Sequence, residues 1–177
     1  MLKSGDSGNF FWIGHGDVDA IQGNAEHSAL APGEVENTLQ NKRHRSTEKV
    51  PTEDKHPYRL VILNGCKTYC PDWAHAFGID FQPGGATNDV TAYFQHGRPS
   101  QAFVAWTNNI GVPGLGDFNF RSDEYAVGLA ALFSRWMDGY ALENCLGWYE
   151  YYMANYLFAG HGSWKISGTA YMWRAAP

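Results

Sequence analysis

Apolar residues gather in a few short, dense runs separated by turn residues and by one long polar stretch. Phe10-Phe11-Trp12-Ile13 is the first run. Apolar at odd and even positions alike, it reads as a buried strand with cover on both faces. It breaks at Gly14-His15-Gly16, and from Asp17 to Pro57 the chain turns polar, with charge crowded between Lys42 and His56. Within that stretch Pro32 to Asn41 fits one short helix, because Pro32 suits a first turn and Val35 and Leu39 share a face. Arg45 to Lys55 reads as a mobile loop, open to proteolytic nicking.

Leu60-Val61-Ile62-Leu63 is the cleanest strand signal, and its apolar character on both faces predicts a central, parallel strand. It breaks at Asn64-Gly65-Cys66. A helix follows from Pro71 to Phe77, closed by Gly78. Further helices are expected over Asn88 to His96, Asp123 to Met137 and Ala141 to Tyr156, the last two separated by Gly139. Ala102-Phe103-Val104-Ala105-Trp106 predicts a third buried strand, and Asn108 to Ser122 a Gly/Asn-rich loop. Ile166 to Arg174 alternates Tyr171 and Trp173 with smaller residues and reads as a last strand. Strands alternating with helices predict the α/β class, a three-layer α/β/α sandwich with a mostly parallel sheet. One domain is expected over residues 1–177, with a polar insert at about 17–57.

Composition sharpens the class. The chain is 44% hydrophobic and 18% charged, too apolar for a disordered segment. A net charge of −5 argues against a nucleic-acid or acidic-membrane partner, which wants a basic footprint. No basic-then-apolar leader opens the chain and no apolar run is long enough to span a bilayer, so neither a signal peptide nor a membrane span is expected. Cys66, Cys70 and Cys145 are too few for a disulfide framework, which points to a reduced compartment or a working thiol.

Ligands of parallel α/β sheets sit at the carboxyl ends of the strands. Two strands here end in reactive groups, His15 after the first and Cys66 after the second. A thiol becomes a useful nucleophile beside an imidazole, which takes its proton and later returns it. Were the two strands adjacent and parallel, their ends would lie roughly 5 Å apart, close enough to serve one substrate. Gly16 would let the backbone approach a substrate carbonyl, Gly65 would free the turn presenting Cys66, and the Gly16 and Cys66 amides would form an oxyanion hole.

The blocks FFWIGHG (Phe10 to Gly16) and LVILNGC (Leu60 to Cys66) resemble the caspase/gingipain-like cysteine peptidases of clan CD, in which an apolar strand ending in His-Gly precedes one ending in the catalytic Cys. Ala92 to Gly111 and Ala131 to Met153 look more weakly like later helices and a strand of that family. The resemblance implies a caspase-like fold and a cysteine endopeptidase acting on a peptide or protein substrate without a cofactor. Cys66 would be the nucleophile, His15 the acid/base, and Gly16 part of the oxyanion hole. It also puts Asp117 in a loop where the family shapes specificity, where a carboxylate would bind a basic side chain. Family members usually carry two further strands before the His strand. Only nine residues precede Phe10, so those first strands are expected to be missing.

Two other readings compete. A catalytically inactive relative serving as an interaction module would fit the missing strands. A metal-dependent transferase or hydrolase would use Asp17 and Asp19, since an Asp-x-Asp pair after a strand can hold a divalent cation. Cys70 reads as a helix-start packing residue or a resolving thiol, and Cys145 as core. Gly5-Asp6-Ser7-Gly8 lacks the upstream partners a serine nucleophile needs. His27, His44, His56, His75, His96 and His161 show no zinc-site spacing. The aromatic segment Trp148 to Tyr156 reads as a helix packing on the sheet.

Overall fold

A computed structural model describes residues 9–22, 28–43, 58, 60–85, 101–108, 122–156 and 163–168. Its strands are β1 (Asn9–Ile13), β2 (Ile21–Gln22), β3 (Ala29–Leu30), β4 (Leu60–Asn64), β5 (Ala102–Trp106) and β6 (Trp164–Gly168). Its helices are α1 (Pro32–Arg43), α2 (Pro71–Ala76), α3 (Ser122–Met137) and α4 (Leu142–Asn155). The fold is mixed α/β around a four-stranded sheet in the order β1-β4-β5-β6. β1, β4 and β5 run parallel, and β6 joins antiparallel to β5.

β4 and β5 are buried along their whole length, as their unbroken apolar runs demand. Their side chains alternate between two cores. Leu60, Ile62, Val104 and Trp106 join Leu132, Leu142 and Tyr149 of α3 and α4 on one face. Val61, Leu63, Phe103 and Ala105 join Val35, Leu39, Trp73 and Ala74 of α1 and α2 on the other. Helices therefore cover both faces.

The helix ends follow local chemistry. Pro32 opens α1, and Glu34 accepts the Ala31 amide at 2.9 Å, satisfying a donor at the helix start. α2 closes with Gly78 at φ +68, its amide donating to His75 O at 2.8 Å while Ile79 N reaches Ala74 O at 3.0 Å.

The structure changes three expectations. β1 is a strand but is not covered on both faces: Phe10 and Trp12 pack on the α1/α2 core, whereas Phe11 and Ile13 are 40% and 37% exposed. Among the described residues β1 pairs only with β4, and α3 reaches it through Phe133, whose ring meets Phe11 at 4.3 Å. The polar insert is not wholly irregular, since β2 and β3 form a small antiparallel pair with Ile21 buried. The last strand occupies Trp164–Gly168, ahead of the expected start. Tyr171 and Trp173, the helix over 88–96, most of the loop over 108–122 and the expected mobile loop over 45–55 lie outside the described residues.

Candidate functional site

The site is built by the pairing of β1 with β4. The two strands are parallel and in register from Asn9↔Leu60 to Ile13↔Asn64. His15 follows Ile13 by two residues and Cys66 follows Asn64 by two, so the chain segments bearing them leave neighbouring strands at the same level. Contact continues past the ladder, where the Gly14 amide donates to Asn64 O at 3.2 Å.

Two glycines allow this closeness. A Cβ on Gly65 would stand 2.5 Å from the Trp12 ring and 3.3 Å from Gly14 O. One on Gly16 would stand 2.8 Å from the Thr68 methyl and 3.4 Å from the Trp12 ring. The segment carrying His15 and the turn carrying Cys66 thus close around Trp12, with no room for a side chain at either glycine.

The turn after β4 is held from below. The buried Thr68 hydroxyl lies 2.9 Å from both Leu63 O and Gly65 O, with its one proton to give to either. Lys67, next to Cys66, sits at φ +51, a conformation that costs a non-glycine residue about 1 kcal/mol. Its amide donates to Asn108 O at 3.2 Å and that of Tyr69 to Trp106 O at 2.9 Å, so the end of β5 fixes the turn. Cys66 emerges half-buried, packed against the α3/α4 core, and His15 is exposed.

Gly16 forms an antiparallel bridge with Ile21. The bonds of that bridge belong to its neighbours: Gln22 N donates to His15 O and Asp17 N to Ala20 O, each at 2.8 Å. The bridge itself does not use the Gly16 amide.

Asp17 Oδ1 accepts the Val18 amide at 2.8 Å, and its carbonyl accepts the Trp73 indole N–H at 3.0 Å. Among the described residues no group of three or more His, Cys, Asp or Glu side chains is placed to hold a metal ion. Cys70 precedes α2 and packs on the α1/α2 core, across the sheet from the core that Cys66 touches. Burial pushes its thiol up, backbone N–H groups of Trp73 and Asp72 pull it down, and the charges of Asp72 and Asp19 raise it. Cys145 is buried, and that burial pushes its thiol up to about 11. All three cysteines are free. His75 is exposed on α2; Asp117, the Gly5–Gly8 segment and the other five histidines lie outside the described residues.

The aromatic segment of α4 packs on the sheet only in part. Tyr149 is buried against Trp106, whereas Tyr151 and Tyr156 are exposed and lean on one another at 6.0 Å. One residue of the site carried no sequence signal. Asn64 ends β4 wholly buried, with neither Oδ1 nor Nδ2 hydrogen-bonded among the described residues. No protein-family model matches the chain, and no curated protein sequence matches it.

Proposed function

We propose that the protein is a cysteine-type endopeptidase of caspase-like fold, with Cys66 as nucleophile and His15 as acid/base. The observation that carries this reading is the in-register parallel pairing of β1 with β4, which sends His15 and Cys66 off adjacent strands at one level. The mostly parallel sheet with helices on both faces supports the caspase-like fold.

In this mechanism His15 takes the Cys66 proton and the thiolate attacks the peptide carbonyl. The Gly16 and Cys66 amides hold the resulting oxyanion. As the C–N bond breaks, His15 protonates the leaving amine and a thioester remains on Cys66. Water activated by His15 then attacks the thioester, releasing the acid and restoring the thiol. No cofactor enters these steps. Asp117 would receive a basic side chain of the substrate.

Alkylation of the three thiols, compared between wild type and His15→Ala, tests the dyad. A fast Cys66 that slows in the variant supports the reading; a Cys66 insensitive to His15 sinks it. One observation favours a second reading, an inactive interaction module: β1 is the outer strand of the described sheet, and its own Phe11 and Ile13 are exposed. Exposed edge strands readily accept a strand from a partner.

A further inference from the structure

α3 ends in a tight turn built on Gly139, whose φ of +93 suits glycine. Its amide donates to Trp136 O at 3.1 Å, and the Tyr140 amide donates to Arg135 O at 3.2 Å. The turn brings Tyr140 back toward the helix, where its ring centroid lies 4.4 Å from the guanidinium carbon of Arg135. From α4 the Trp148 ring meets the same carbon, also at 4.4 Å. Tyr151 stacks on Trp148 at 5.3 Å and extends the aromatic surface along α4. Tyr140 and Tyr151 are 44% and 49% exposed, so this surface is open to solvent.

Packing within the chain leaves two features of this corner without a use. Aromatic faces attract a guanidinium but accept none of the N–H bonds along its edge. Arg135 is half-buried, and among the described residues its Nε has no hydrogen-bond partner, the two rings being the contacts its head group makes. The second feature is Gly147, exposed in the interior of α4, where glycine weakens a helix. A Cβ there would meet nothing within 4 Å, so the fold itself does not call for the glycine. Gly147 adjoins Trp148 and shares a helix face with Tyr151, and its bare backbone lets another chain come close.

We propose that the corner between α3 and α4 docks a peptide segment carrying one carboxylate between apolar residues. The carboxylate accepts from the fork of Arg135, its apolar neighbours lie on Tyr140, Trp148 and Tyr151, and its main chain crosses α4 at Gly147. Arg, Trp and Tyr are the side chains that carry most of the binding energy in protein–protein interfaces. The net charge of −5, with Asp138 and Glu143 at the same corner, disfavours a polyanion such as a nucleic acid. Neither His15 nor Cys66 belongs to this surface, so the docking site is additional to the proposed peptidase centre.

The test is an array of capped pentapeptides with Glu, Gln or Lys at the centre and apolar residues at the other four positions, probed with the labelled full chain. Binders are then measured in solution by calorimetry. Glu-centred peptides should bind at least about tenfold more tightly than their Gln counterparts, and Arg135→Gln should erase that preference. Gly147→Ala should weaken binding at least about threefold while raising the urea midpoint, since alanine favours the helix; a variant that merely misfolds lowers both. The absence of any Glu-centred binder, equal binding of the Gln counterparts, or binding that either variant leaves unchanged overturns the proposal. Tighter binding of an oligoglucuronate or a single-stranded oligonucleotide than of every Glu-centred peptide overturns it too, and would make the surface one for an acidic sugar or a nucleic acid. None of these readouts passes through Cys66 or His15. A Cys66 of ordinary reactivity therefore sinks the peptidase reading alone, and an array without Glu-centred binders sinks the docking site alone.

Discussion

At the scale of single residues, the buried Asn64 carboxamide has no hydrogen-bond partner among the described residues, and that carries a cost. A buried polar group without a partner costs about 1–3 kcal/mol. Replacing Asn64 by Leu, of similar shape, removes that penalty and fills the same space. Asn64→Leu is expected to stabilise the protein by about 1–2 kcal/mol in denaturant unfolding. A loss of stability instead would mean that Asn64 has a structural partner. Cys145 behaves in the opposite sense. Its neutral thiol is favoured by burial, so the folded state holds its proton from 9.0 up to about 11. Stability from this thiol is complete below pH 9 and is lost as pH rises toward about 11, because the unfolded chain releases the proton first. The loss is on the order of 2 kcal/mol, and it should be absent from the pH dependence of Cys145→Ala unfolding.

At the scale of elements, the turn after β4 and the turn after β1 fit only because Gly65 and Gly16 lack side chains. Gly65→Ala puts a methyl 2.5 Å from the Trp12 ring, which must move and take the His15 segment with it. The expected result is a loss of about 1–3 kcal/mol in urea unfolding, together with loss of any His15-dependent reactivity of Cys66. β4 and β5 were legible in the sequence because strands buried on both faces need apolar residues at every position. β1 was legible as a strand but not as the outer one of the described sheet, since the exposure of Phe11 and Ile13 depends on how far α3 reaches across the sheet. The β2–β3 pair escaped notice because strands of two residues have no period to read. Asn64 did too, for an Asn before a Gly looks like an ordinary turn signal.

At the scale of the whole molecule, what the sequence left open was which strands are neighbours. His15 and Cys66 are far apart in the chain, and nothing in FFWI or LVIL dictates that they pair. The order β1-β4-β5-β6 settles it, and the helices on both faces make that sheet a rigid base for the two turns at its carboxyl edge. The most direct measurement is the rate of iodoacetamide alkylation at each cysteine, read by mass spectrometry across a range of pH in wild type and His15→Ala. Cys66 should react well ahead of Cys70, whose thiol is raised by burial, and of Cys145, which is buried, and His15→Ala should erase that lead. A Cys66 that reacts like an ordinary thiol, unchanged by loss of His15, would contradict the Cys–His dyad.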